Sequence, residues 1–263
     1  MLVKWIRCTV VDRRGFERGQ RKWAGLLGEP GFRGQGGGWS RQRQGVAHIF
    51  AFWESRAFYD SFMARSHDRL AAAQSGTFND GQARLFEYRF DVKTGFEPRF
   101  TDADLIRVAR CRVHEERVEH FTLMQEKVWN PAMAGSPGMI RGMFAEAPEQ
   151  EFLILSMWRS AAEHGKYRTE RVERLALRAQ TEADVAALGG HRGPGADLDG
   201  VSPADGFFCD LRRMGPTCAR RPLARSRVSA WHDHGASSLS GMGSRPGTST
   251  TPCTNANPTT PSR

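Results

Sequence analysis

One phrase is written twice in this chain. "FAFWESRAFYDSFMARSHDRL" ends at Leu70, and "LSMWRSAAEHGKYRTERVERL" ends at Leu175. The match extends upstream, where "LVKWIRCTV" (2–10) lines up with "LIRVARCRV" (105–113) and "HIFAFW" (48–53) with "LILSMW" (153–158). Each copy spans about 90 residues, too long for a solenoid unit and suited to a small domain. A chain that repeats itself at this length must fold as two similar bodies.

Each copy reads as β-α-β-β-α-β. "LVKWIRCTV" is rich in β-branched and aromatic residues, so it predicts a strand. Phe16, Gln20, Trp23 and Leu27 stand at helical spacing before the stop at Gly28-Glu29-Pro30. "GFRGQGGGW" predicts a bulged or closely approached strand, "SRQRQG" a hairpin turn, and "VAHIFAFW" a buried strand. Ser55 and Ser160 then cap helices, the latter in a capping box with Glu163. "LFEYRF" closes the first copy, alternating Phe86, Tyr88 and Phe90 against Leu85, Glu87 and Arg89. No convincing equivalent follows Leu188.

Such a unit makes a four-stranded antiparallel sheet with both helices on one face. Its bare face demands a partner, which a second copy in the same chain supplies. The expected fold is therefore α+β: two ferredoxin-like halves, residues 1–97 and 98–190, closed sheet to sheet as a pseudo-dimeric barrel. Residues 191–263, rich in Gly, Pro, Ser and Thr, are expected to be a disordered or aberrant C-terminal tail. "GFFCDLRR" is the candidate to substitute in part for the missing strand.

Composition narrows the function classes. The net charge of +9 divides thinly, with +4 of it in the tail, so it describes no nucleic-acid stripe. No apolar run reaches the roughly 18 residues of a membrane span, and the N-terminal stretch is too interrupted by Lys4 and Arg7 for a secretory signal. A cytoplasmic protein, a monomeric pseudo-dimer or a homodimer, is the expectation. The five cysteines, Cys8, Cys111, Cys209, Cys218 and Cys253, form no CxxC and imply neither a disulfide framework nor a metal site. The glycines of "GFRGQGGGW" precede a strand and not a helix, which excludes a dinucleotide fingerprint. His232-Asp233-His234 could bind a metal adventitiously, but in a floppy tail it is not expected to be a metal site.

The motifs "MLVKWIRC", "GQGGGW", "FWES" and "FM…HDRL" resemble a bacterial family of tandem half-barrel proteins, YdbC-like, within the antibiotic biosynthesis monooxygenase superfamily of dimeric α+β barrels. The resemblance covers residues 1–190. It implies the barrel fold strongly and an activity weakly, because the superfamily holds cofactor-independent oxygenases of polycyclic phenols, haem-degrading enzymes and members without known activity.

Candidate site residues follow. His67 shares a helical stripe with Tyr59, Met63 and Leu70, and His164 stands in the second copy where the first has Tyr59. Superfamily members carry His at one or both positions, so either imidazole is a candidate general base or haem ligand. The alternative is a histidine satisfied by backbone or by Asp68. On the first strand, Ile6, Cys8 and Val10 should pack under the helices. Arg7, with Val3 and Trp5, should face the barrel, and Arg110 repeats this in the second copy. Two guanidinium groups aimed into one cavity would be paired with carboxylates, lean out at the rim, or receive an anion. Trp5, Trp39, Phe50 and Phe52 are candidate walls for a flat aromatic ligand. Two functions stay open. One is a small-molecule enzyme, a monooxygenase with His67 as base and Arg7 or Arg110 orienting an acidic or phenolic substrate, working without a cofactor or with haem. The other is a non-catalytic ligand-binding or stress-related protein.

Overall fold

The computed structural model describes residues 1–188 and 198–202. The first half runs β1 (Leu2–Val10), α1 (Arg13–Lys22), β2 (Phe32–Ser40), β3 (Val46–Trp53), α2 (Arg56–Arg65), α3 (His67–Ala71) and β4 (Phe78–Lys93). The second runs β5 (Leu105–Val113), α4 (Val118–Met124), α5 (Asn130–Ala134), β6 (Met139–Ala147), β7 (Glu151–Trp158), α6 (Ala161–Tyr167), α7 (Glu173–Arg178), α8 (Thr181–Asp184), β8 (Val185–Leu188) and β9 (Leu198–Ser202). The helix signals in the sequence operate as expected. Asp12, Ser55 and Ser160 each accept a backbone N–H in the first turn of α1, α2 and α6. After α1 the chain tightens into a 3-10 turn, Trp23–Gly28, and stops at Glu29.

Eight of the nine described strands close a ring. Around it, β1 pairs with β3, β3 with β2, β2 with β9, β9 with β5, β5 with β7, β7 with β6, β6 with β4, and β4 with β1. All pairings are antiparallel. The ring has an approximate twofold plan: β4 crosses from β1 to β6, and β9 crosses from β5 to β2. The first crossing uses one strand of 16 residues. The second is divided: β8 pairs with the Cys111–Val113 end of β5, and β9 takes up the same edge at Ile106–Ala109. The closing strand of the second copy thus exists in two pieces. One of them, 198–202, falls inside the segment expected to be tail; the rest of that expectation lies outside the described residues, as do "GFFCDLRR" and His232-Asp233-His234.

The alternation of each strand sorts its side chains between barrel and helices. Val3, Trp5, Phe50, Phe52, Phe86, Ile106, Val108, Met143, Leu153, Leu155 and Met157 turn into the barrel and pack against one another. Most are fully buried, so the expected cavity between the sheets is occupied by side chains. The plug is the linker between the halves. Phe96 lies 5.7 Å from Phe52, and Phe100 sits 6.3 Å from Phe50 and 5.9 Å from Phe52, ring centre to ring centre. Burying a Phe side chain this completely contributes about 1.5–3 kcal/mol. Gly36 makes room for it, because a Cβ there would come within 2.2 Å of the Phe100 ring. The glycine-rich strand is closely approached, and the linker is what approaches it. Asp91 pins the linker's start, accepting N–H bonds from Gly95 at 2.8 Å and Phe96 at 3.2 Å.

Candidate functional site

The barrel-facing candidates separate once the packing is known. Phe50 and Phe52 are core residues beneath the linker. Trp5 belongs to the same core; its Nε1 donates to His48 Nδ1 at 3.1 Å. They wall no open cavity, because Phe96 and Phe100 fill the space beside them. Trp39 is on the other side of the sheet, with Phe16 of α1 at 6.0 Å and the Arg13 guanidinium 4.5 Å over its ring. Its partner across the strands is Ala47, one residue out of phase with His48 and Phe50. Arg7 leans out at the rim and donates to Gln82 Oε1 at 3.4 Å. Arg110 is held by the nearly buried Glu151, with Nη2 donating to Oε2 at 3.0 Å. The two guanidinium groups do not converge.

The histidines sit in the helical layers. His67 is wedged beside Trp23 and Phe62, 5.8 and 5.9 Å away, and its Nδ1 is 2.9 Å from Asp68 Oδ1. Trp23 lies tilted and Phe62 edge-on to the imidazole, so two rings crowd it while Asp68 occupies one nitrogen. His164 is different. Its ring stands edge-on to Trp158 at 5.1 Å and 6.4 Å from Tyr167. Burial first, then the Arg107 and Arg168 charges, push its pKa down to about 4, so the imidazole is neutral at physiological pH.

Arg107 is the residue that sequence reasoning passed over. It projects from β5 in the row of Leu105, Ala109 and Cys111, which packs under the helices. Its strand partner is Ser156, whose hydroxyl accepts from Trp158 Nε1 at 3.0 Å. Desolvation lowers the guanidinium pKa, opposed by Tyr167 and Cys111. No carboxylate answers this cation: among the described residues Arg107 makes no hydrogen bond or ion pair. Above it, the buried hydroxyl of Tyr167 also has no hydrogen-bond partner, and burial pushes its pKa up to about 12 against the pull of Arg107 and Arg171. Immediately after Tyr167 the helix widens to a π turn, Arg168–Val172, a local distortion often found where helices carry function. A cation, a phenol and a neutral imidazole therefore share one helix–sheet layer beside the Trp158 indole.

The first half places Lys4 where the second has Arg107. Lys4 is 9% exposed; its Nζ is 4.0 Å from Met63 Sδ and 5.3 Å over the Tyr59 ring. The signal for both residues was available: each is a basic residue in the apolar, helix-facing row of its strand. Thiol chemistry has no support at Cys8 and Cys111, since burial pushes both pKa values up to about 12. Among the described residues, no group of three or more His, Cys, Asp or Glu is placed to hold a metal, and no helix is long and apolar enough to cross a membrane.

Known proteins resemble this chain over parts of its length. Residues 2–86 match a family described as a domain of unknown function, DUF4937. The uncharacterized protein YdbC of Bacillus subtilis (strain 168) is 35% identical over 74 residues, which are 27% of this chain and 62% of YdbC. The chain thus spans less than two thirds of the curated relative it matches. Among solved structures, a candidate monooxygenase from Lactobacillus acidophilus NCFM superposes with a TM-score of 0.58 at 15% identity, covering 80% of this chain and 96% of its own. A candidate monooxygenase from Fusobacterium nucleatum gives 0.59 at 8% identity, covering 71% and 88%. An anthrone oxidase-like protein gives 0.54 at 11%, covering 79% and 93%. At these identities the likeness shows the fold alone, an α+β arrangement shared with these three structures.

Proposed function

We propose that this chain binds a flat aromatic acid or phenol in the helical layer of its second half, with the ligand's anionic oxygen between Arg107 and Tyr167. The observation that carries this reading is a guanidinium and a buried hydroxyl in one layer, neither with an acceptor. An unpaired buried hydroxyl costs about 1–3 kcal/mol, and a desolvated cation costs more unless it is paired. A carboxylate or phenolate would satisfy both donors through charge-assisted bonds, and its ring would find the Trp158 indole and His164 imidazole.

The same arrangement suits removal of a phenol proton, the opening step of an oxygenation that needs no cofactor. Arg107 favours the phenolate of a bound phenol, and the neutral His164 offers a nitrogen to receive the proton. The shared fold with candidate monooxygenases and an anthrone oxidase-like protein supports an enzyme of this kind, and a binding protein would use the same contacts.

Calorimetric titration with 2-naphthoate and 2-naphthol tests the site. Wild type is expected to bind saturably. Arg107→Met should weaken binding by about tenfold or more, the loss of a charge-assisted bond, and Lys4→Met should leave it unchanged. Equal affinity in wild type and Arg107→Met would sink the proposal.

A further inference from the structure

Lys4 invites a question that the second-half site does not answer. The chain has five lysines, Lys4, Lys22, Lys93, Lys127 and Lys166, among 38 basic residues. Arginine is the residue this sequence ordinarily uses for a positive charge, and the matching position in the second half is Arg107. Yet the most buried basic position of the first half holds lysine. Arginine remains a cation in proteins, whereas lysine sheds its proton readily when desolvated and then becomes a nucleophile.

The surroundings favour that outcome. Lys4 lies between Ala51 on β3 and Leu85 on β4, with Tyr59 and Met63 of α2 above it. The layer around it is Trp23, Trp53, Phe62 and Leu70. Arg56 and Asp60, the charged residues of α2 nearest Tyr59, are engaged with each other at 2.9 Å. Among the described residues no carboxylate pairs with Lys4, and desolvation lowers its pKa.

We propose that Lys4 is a reactive amine site that takes small uncharged aldehydes or ketones as imines, in the aromatic layer between β1 and α2. The Nζ lone pair adds to the carbonyl carbon. The two nitrogen-bound hydrogens pass to the carbonyl oxygen, which leaves as water, and a C=N bond remains. Nothing is oxidised or reduced. An apolar carbonyl compound suits the site because its walls are mainly aromatic rings and the Met63 thioether. This site is independent of the second-half reading, since it uses none of the same residues.

The three exposed lysines, Lys22, Lys127 and Lys166, are internal controls. The whole protein is treated at neutral pH with propanal, and in parallel with benzaldehyde, in the presence of sodium cyanoborohydride. Alkylation of each lysine is then followed by peptide mass spectrometry. Lys4 is expected to be modified several-fold faster than Lys22, Lys127 and Lys166, because desolvation favours its neutral, nucleophilic form, and that advantage should vanish in denaturant. Folded Lys4→Arg protein should show no fast-reacting lysine. Alkylation of Lys4 in the folded wild type at or below the rate of the exposed lysines overturns the proposal, whether or not the variant folds. Because 2-naphthoate binding is read separately, failure here leaves the Arg107 site standing.

Discussion

Lys4 and Arg107 occupy the same place in two copies of one unit, and their surroundings have diverged. In the first half the ceiling is Tyr59, Met63 and Phe62, which offer a cation a ring face and a thioether. In the second, the same helix positions hold His164, Arg168 and Tyr167, so a cation meets an imidazole, a further cation and a phenol. Among the described residues neither half supplies a carboxylate. A basic residue buried at Lys4 and half-buried at Arg107, each without an ion-pair partner, argues that the position has work to do. The divergence of the ceilings teaches that the two works differ: one layer suits an anion, the other a neutral, apolar guest. Duplication within one chain permits this, whereas two identical chains would have to share one ceiling.

The sharpest break of the comparison is at Asp184, whose backbone carbonyl accepts from His114 N–H as that of Thr77 accepts from Val11 N–H, but whose carboxylate the first half lacks. It is 1% exposed and lies 2.7 Å from the Arg117 guanidinium and 2.9 Å from His120 Nδ1. It ties α8 to α4. Asp184→Ala should destabilise by about 3 kcal/mol, the loss of carboxylate hydrogen bonds from the half-buried Arg117 and His120 at about 1.5–3 kcal/mol each, measured by urea denaturation. A loss under 1 kcal/mol would mean that the tie is ornamental.

Next in size are the strand arginines that the repeat equates. Arg110→Gln leaves the nearly buried Glu151 without its partner and should cost about 2–3 kcal/mol. Arg7→Gln gives up only an exposed bond to Gln82 and should stay within about 0.5 kcal/mol. Equal effects in the two variants would contradict the geometry.

A pH-dependent variant makes the second half resemble the first. The folded pKa of His164, about 4, lies below the unfolded value near 6.5. Between these values the unfolded chain binds more protons, so stability falls as pH drops from about 6.5 toward 4. His164→Tyr, which writes in the residue of the first half, removes that contribution. Relative to wild type, the variant should gain roughly 1 kcal/mol on going from pH 7 to pH 5, a figure reduced for the imidazole's partial exposure. The comparison is of chemical-denaturation midpoints at the two pH values, and parallel pH profiles would count against the assignment.

Much of this architecture could be read from the repeat. The phase of Ile6, Cys8 and Val10 located the helical layer, and that of Val3 and Trp5 located the barrel. The same phase rule, carried back to Lys4 and across to Arg107, would have found the cations, because a charge in an apolar row is the informative exception. Other features left weaker traces. "LDGVS" has little strand character of its own and becomes β9 because the edges of β2 and β5 need a partner. The filling of the barrel depends on where the Phe96–Phe100 linker folds back, a tertiary choice that local pattern does not specify. The run of glycines at 34–38 hinted that something would lie close, without saying what.

The late arrival of β9 has a consequence for how the molecule is made. Trp39 and Ser40 emerge early in synthesis, but the strand that covers them includes Val201 and Ser202. At roughly 5–20 residues per second, the free edge of β2 waits on the order of ten to thirty seconds for its neighbour. During that interval a nascent chain offers an open strand beside its aromatic interior, a surface that a ribosome-associated chaperone or a neighbouring nascent copy could seize before the ring shuts.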